Sequence, residues 1–211
     1  MDVNLDRLSF EQFVDLVFNH PVTDPAWHWA DDFDYDFDDG VNTIKHLTTL
    51  FREPEFLFEA YSLDQLEQGF YFITLLLCYI KFDGLLWAES IPFSLRENCI
   101  SSMYELFSRF FVMNSLKTIG FMWWDCLAYG YYMSNGKPED ENGAKVQQAM
   151  FETLRHILKI DSEECQKSAL HGLGHLKHPE TEKTIKDYLR RRFVKLELRE
   201  YAEKCIAGTM G

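Results

Sequence analysis

The chain has 211 residues, of which 46% are hydrophobic and 16% aromatic, and it carries a formal net charge of −13. Such apolar content suffices to bury a large core, which argues against a disordered chain. Five cysteines, none in Cys-x-x-Cys spacing, indicate neither a disulfide framework nor a thiolate zinc site. The acidic start lacks an export signal, so we predict a cytoplasmic protein. The longest apolar run, residues 70–80, is well short of a membrane span, and no membrane association is expected.

Negative charge is concentrated near the N-terminal end. Residues 1–40 contain eleven Asp and Glu against one Arg, a net charge of −10. Such a region repels nucleic acid and anionic lipid, and it speeds the approach of a basic protein. The alternative is that the charge only keeps the chain in solution. We therefore predict a basic protein partner and no direct contact with nucleic acid.

Helical periodicity runs through nearly the whole chain. Ser-x-x-Gln capping boxes at Ser9 and Ser62 open two helices with apolar residues at 3.6-residue spacing. Between them, Asp38 or Asp39 is expected to cap a third helix. Further helices are predicted near residues 92–113, 121–133, 144–159, 162–176, 180–192 and 196–207. No segment shows sustained strand alternation, so the predicted fold class is all-α.

One polar loop interrupts this helical pattern. The sequence SNGKPEDENG, residues 134–143, contains Gly and Pro and follows a strongly apolar helix. We predict a single all-helical domain over residues 1–211, with a sub-boundary at this loop.

Three histidines, His171, His175 and His178, follow one another at helical spacing. On a helical wheel they lie opposite the apolar stripe, so we expect them to face solvent and hold no metal. The alternative is a metal-dependent enzyme that uses all three. The zincin pattern His-Glu-x-x-His has a general base, however, and Gly172 stands at that position. We therefore predict no cofactor, no catalytic residue and no enzymatic activity.

The histidines lie in a segment with a family resemblance. Residues 165–191, CQKSALHGLGHLKHPETEKTIKDYLRR, comprise a helix with small residues, a turn with Pro179 and a second helix. Residues 198–208 repeat the pattern in part, with Ala202 at the position of Ala169. These features resemble the short bacterial type of HEAT-like repeat.

The resemblance implies stacked antiparallel helix pairs, a HEAT-like α-solenoid, with the repeats in residues 144–211. Small residues let neighbouring helices approach, and no single pair covers its own apolar face. The apolar face of the last repeat must therefore be buried against something else. A second copy of the chain could bury it, so a homodimeric structural adaptor is a further alternative. Hydroxylases of this family bind two irons through His-Glu dipeptides. Here Lys167 and Ser168 stand at the corresponding positions, so that activity is not expected.

Acidic and aromatic residues alternate in WHWADDFDYDFDDG, residues 27–40. The aspartate spacing is that of a calcium loop, but Gly40 comes one place late and Lys45 stands where the bidentate Glu belongs. An EF-hand is therefore excluded. Two interpretations remain: the rings pin a long loop to the helical body, or the segment docks a basic partner through aromatic contacts and aspartates.

We predict a non-enzymatic interaction scaffold that binds a basic protein partner. One concrete form is an immunity-type or inhibitory protein, whose aspartates imitate a phosphate backbone and occlude a basic nuclease. The predicted contact residues are Trp27, Trp29, Asp31, Asp32, Phe33, Asp34, Tyr35, Asp36, Phe37, Asp38 and Asp39.

Overall fold

A computed structural model describes residues 2–30, 33–78, 84–113, 116, 118–133, 140–191 and 193–210. Within them the α-helices are α1 (Phe10–Phe18), α2 (Val41–Arg52), α3 (Leu57–Ala60), α4 (Leu63–Cys78), α5 (Phe93–Glu105), α6 (Ile119–Met133), α7 (Glu141–Ile157), α8 (Glu163–Leu176), α9 (Thr181–Leu189) and α10 (Leu196–Ala207). The shorter elements are the strands β1 (Asp2–Asn4) and β2 (Asp34–Asp36), the 3-10 helices Leu5–Arg7 and Trp27–Trp29, and a π-helix at Leu106–Phe111. This mostly helical architecture confirms the all-α prediction.

Both predicted capping boxes are present. The Ser9 hydroxyl accepts the backbone N–H of Gln12, and the Gln12 side chain accepts the backbone N–H of Ser9 at 2.9 Å. Ser62 and Gln65 make the same reciprocal pair at the start of α4. Because each box satisfies backbone groups that a helix start leaves unpaired, four nearby residues are enough to define where the helix begins.

The start of α2 is corrected by the structure. Gly40, with φ 78°, holds the N-cap position that was predicted for Asp38 or Asp39. One oxygen of the Asp6 carboxylate accepts the backbone N–H groups of Asp39 and Gly40, at 3.0 and 2.7 Å. The other accepts the backbone N–H and the hydroxyl of Thr43, at 2.9 and 2.7 Å. Asp39 also contributes, because its Oδ1 accepts the backbone N–H of Val41 at 2.9 Å. The helix start is therefore capped jointly by the predicted Asp39 and by a carboxylate distant in the sequence.

A small sheet also departs from the sequence prediction, which contains no strand. β1 and β2 pair in parallel, with Asp2 opposite Asp34 and Asn4 opposite Asp36. Each strand has only three residues, too few for a recognisable alternation, and the partners lie far apart in the chain. The pairing joins the N-terminal end to the acidic aromatic segment.

Two further boundaries differ from the predicted ones. The helix predicted near residues 92–113 is α-helical only to Glu105 and continues as the π-helix. Helix α7 begins at Glu141, inside the loop predicted at residues 134–143, because the Asp140 side chain accepts the backbone N–H of Gly143. Residues 134–139, the rest of that loop, lie outside the described residues.

The helices contact each other mainly in two rows. One row runs from α1 through α4, α6 and α8 to α10, the other runs from α2 through α5 to α7, and α7 packs on α8. A continuous hydrophobic core extends from Leu5 to Cys205, with Trp123 and Trp124 of α6 among its largest buried side chains. Within the described ranges, no helix has both the length and the apolar composition that crossing a bilayer requires.

Candidate functional site

Most rings of the acidic aromatic segment are anchored in the protein. Trp27 is only 8% exposed and stacks on the His20 ring at 3.8 Å. Phe33 and Tyr35 pack edge-on against Phe72, at centroid distances of 5.7 and 5.2 Å. The partly buried rings of the segment are Phe33, Tyr35 and Phe37. These contacts confirm that aromatic side chains pin the segment to the helical body, and they remove Trp27 from any docking surface.

The exposed part of the segment is smaller than the set predicted to bind a partner. Trp29 is 60% exposed, and Asp34 and Asp36 are exposed on either side of the half-buried Tyr35. Asp31 and Asp32 lie outside the described residues. A protruding tryptophan and a short row of carboxylates therefore remain accessible.

Asp38 is engaged within the protein. Its two oxygens accept hydrogen bonds from Nε and Nη2 of Arg7 at 3.2 and 3.0 Å, and Asn4 donates a further hydrogen bond at 3.0 Å. The hydrogen bond from Arg7 lowers the pKa of the Asp38 carboxyl below its ordinary value. Arg7 is the only Lys or Arg in residues 1–40, and its guanidinium also interacts electrostatically with Asp36.

The histidine cluster differs from its predicted form, because His171 does not face solvent. Its side chain lies at the junction of α8 with α10, and the residue is only 7% exposed. Every residue from Ser168 to Gly174 is buried. Helix α8 packs against α6, α7 and α10, so its buried surface is much wider than the single apolar stripe of the sequence pattern. The prediction of outward-facing imidazoles is therefore wrong for His171.

His178 does not join the other two histidines. Lys177, with φ 49°, ends α8 in the left-handed conformation, so the helical spacing breaks before His178. The His178 ring stacks on Phe151 at 3.9 Å, and its Nε2 lies 3.0 Å from Oε1 of Gln148. His178 thus packs on α7, and the predicted three-histidine set does not form.

Asp125 of α6 takes the third place in the cluster. Its Oδ1 lies 3.4 Å from Nε2 of His175, and the rings of His171 and His175 are 4.5 Å apart at 72°. One potential ligand atom from each of the three residues lies within 4.8 Å of the other two. The sequence interpretation missed Asp125, although a single carboxylate inside the apolar FMWWDCLAYGYYM helix was the available signal.

Tyr201 of α10 orients the buried histidine. Its hydroxyl oxygen lies 2.5 Å from Nδ1 of His171. The other nitrogen, Nε2, is buried and has no hydrogen-bond partner among the described residues. Burial, followed by the proximity of His175, lowers the pKa of His171 to about 4. The His171 imidazole is therefore neutral near pH 7, with one ring nitrogen held by Tyr201.

The cluster lies beneath an aromatic and cationic rim, but solvent reaches it. Phe121 packs on the His171 ring at 4.4 Å, and the Lys167 ammonium lies 5.2 Å from the Phe121 centroid. The side chains of Asp125 and His175 are 28% and 34% exposed. Two imidazoles and a carboxylate form a nitrogen and oxygen donor set that divalent transition metals accept.

The acidic aromatic segment and the cluster of Asp125, His171 and His175 lie in different parts of the chain. The HEAT-like resemblance stays a prediction carried by residues 165–208. The chain matches no family model, no curated protein and no solved structure.

Proposed function

We propose that the protein is a non-enzymatic interaction scaffold that binds a basic protein partner. The proposed contact surface, called the acidic face below, consists of Trp29, Asp34, Asp36 and Asp39. The observation that carries the proposal is the net charge of −10 in residues 1–40, whose one arginine is engaged by Asp38. The exposed carboxylates therefore belong to a region of strongly negative net charge.

The acidic face is held in place before any partner arrives. Strand β2 pairs with β1, and the buried Trp27 anchors the adjoining turn. A surface that is ordered in the free protein loses little conformational entropy on binding. Asp34 and Asp36, two positions apart on one strand, project from the same side of β2 as a row about 6.6 Å apart. Such a fixed pair of negative charges suits an immunity-type or inhibitory role, in which the aspartates imitate a phosphate backbone and occlude a basic nuclease.

The chemistry of the face favours Lys-rich and Arg-rich surfaces. Opposite charge steers encounter and raises the association rate, most strongly at low ionic strength. The exposed indole of Trp29 supplies apolar contact area, and tryptophan is enriched among the residues that dominate binding energy. Charge thus selects the partner, and the ring contributes to holding it.

Neutralising Asp34 and Asp36 is expected to slow association with the basic partner about tenfold at low salt, because electrostatic steering depends on the local field. The change is Asp34→Asn with Asp36→Asn. The partner is first identified by cross-linking the wild-type protein in an extract of its native host, followed by mass spectrometry. Association rates with the purified partner are then measured by surface plasmon resonance at low and high salt.

The charge-matched control is Glu200→Gln with Glu203→Gln, which removes two exposed carboxylates from α10. We expect its association rate to equal that of the wild type. Association of the Asp34→Asn, Asp36→Asn variant at the wild-type rate at low salt would exclude the acidic face as the docking surface. Equal slowing by the control would point to net charge alone.

Removing the Trp29 ring should act on dissociation instead. Trp29→Ala leaves the charge unchanged, so we expect a similar association rate and a faster dissociation rate, equivalent to about 2 kcal/mol of binding free energy. The same plasmon resonance assay measures both rates. An unchanged dissociation rate would show that the ring lies outside the contact.

A further inference from the structure

Potential metal ligands from two packed helices meet at Asp125 of α6 and His171 and His175 of α8, and this cluster lies outside the proposed function. We propose that these three residues bind one divalent first-row transition metal ion, with Zn²⁺ as the best-fitting ion. The site lies between α6 and α8 and involves none of the residues of the acidic face.

The spacing of the donor atoms fits such an ion. Oδ1 of Asp125 and Nε2 of His175 are 3.4 Å apart, longer than an ordinary hydrogen bond between nitrogen and oxygen. Ligand atoms bound tetrahedrally at about 2.0–2.1 Å from zinc lie about 3.3–3.4 Å from each other. The third donor belongs to His171, and all three atoms lie within 4.8 Å. Side-chain rotations that bring the His171 donor to the same spacing would complete the coordination.

The buried state of His171 points independently to a ligand. The residue is only 7% exposed, and its Nε2 has no hydrogen-bond partner among the described residues. A buried polar atom without a partner is costly and uncommon in native proteins. A metal ion bound to Nε2 removes that cost.

Tyr201 supplies the support that metal-binding histidines normally have. The second ring nitrogen of such a histidine usually donates to an oxygen, which orients the ring and selects the tautomer. Here Nδ1 of His171 lies 2.5 Å from the Tyr201 hydroxyl oxygen. When Nδ1 carries the proton and donates a hydrogen bond to that oxygen, Nε2 keeps its lone pair for the metal. Tyr201 is thus a positioning residue.

The donor set selects the class of metal. Two imidazole nitrogens and one carboxylate oxygen suit zinc, cobalt, nickel or ferrous iron, whereas calcium and magnesium prefer oxygen ligands. Three protein ligands leave at least one coordination position for water, as in open zinc sites. The partial exposure of Asp125 and His175 gives the ion and this water a path from solvent.

The test uses the full chain, purified without a histidine tag and treated with a chelator. Calorimetric titration with Zn²⁺ is expected to show one ion per chain, and Co²⁺ is expected to give visible absorption bands of low coordination number. His175→Gln and Asp125→Asn should each abolish this binding. Tyr201→Phe should weaken it about ten- to a hundredfold, the usual effect of losing a residue that supports a metal ligand.

Matched controls separate the site from adventitious binding. His178→Gln and His156→Gln remove imidazoles outside the cluster and should bind Zn²⁺ as the wild type does. Both ligand variants change partly exposed residues, and circular dichroism melting verifies that they fold. A wild-type protein that takes up neither ion, binding that survives His175→Gln, or equal loss in His178→Gln would each overturn the proposal.

Discussion

Replacing Gly172 by alanine is expected to destabilise the protein by about 2–3 kcal/mol, as overpacking of a close helix contact does. A Cβ atom at this position would lie 2.4 Å from Cβ and 2.9 Å from Cγ of Trp124, and 2.9 Å from Cδ2 of Leu154. The stem of the Trp124 side chain cannot rotate away, so α6 and α8 must separate. The higher helix propensity of alanine, about 1 kcal/mol, offsets only part of the cost. Urea denaturation followed by circular dichroism measures the difference.

Gly120→Ala is the matched control for this substitution. The added Cβ would lie 3.5 Å from the Phe111 ring, an ordinary contact, so we expect no loss of stability and up to about 1 kcal/mol of gain. If Gly172→Ala is as stable as Gly120→Ala, α6 and α8 are not as close as the structure indicates. The same approach of these helices places Asp125 beside His175, so the metal proposal depends on it.

Replacing Asp6 by asparagine is expected to cost about 2 kcal/mol of the free energy of unfolding, although the two side chains have nearly the same shape. Each carboxylate oxygen accepts two hydrogen bonds: one from Asp39 and Gly40, the other from the amide and hydroxyl of Thr43. An asparagine presents an NH₂ group to one of these pairs and leaves at least one backbone N–H without an acceptor. Thermal and urea unfolding at neutral pH measure the loss.

The pH dependence provides a second readout for Asp6. Burial raises the pKa of Asp6, but hydrogen bonds from Thr43, Gly40 and Asp39 outweigh it, and the pKa falls below 3.8. A pKa lowered by folding contributes stability above its unfolded value, and this contribution is lost as the pH falls through the folded pKa. The difference in free energy of unfolding between wild type and Asp6→Asn should therefore decrease below about pH 4.

Asp36→Asn is the control, because it removes an exposed carboxylate from the same end of the chain. We expect its free energy of unfolding to lie within about 0.5 kcal/mol of the wild-type value, and this difference to stay the same at low pH. A difference between wild type and Asp6→Asn that stays constant down to pH 2 would show that the charge of Asp6 does not stabilise α2.

The sequence predicts the helices well where the signals are local. The Ser9 and Ser62 boxes locate α1 and α4, because every group in a capping box lies within four residues. The start of α2 was predicted less well: Asp39 does accept the N–H of Val41, but the second capping carboxylate, Asp6, lies more than thirty residues earlier. The β1–β2 pairing depends on the same long-range approach and leaves no pattern in either segment.

The candidate site was predictable only in part. Helical spacing predicts correctly that His171 and His175 lie close together, but it also groups His178 with them. The left-handed Lys177 breaks that spacing, and His178 packs on α7. Asp125 belongs to another helix, and its approach to His175 requires the close contact at Gly172.

The sequence by itself determined the helical class, the concentration of acidic residues near the N-terminal end and the starts of the capped helices. Each of these follows from composition or from groups a few residues apart. Only the tertiary structure decided which aromatic rings are buried, that Asp6 caps α2, and that Asp125 joins His171 and His175. Those features depend on how neighbouring helices cover α8 and on chain segments that meet across long separations. A one-dimensional pattern specifies the faces of a helix, but not what packs against them.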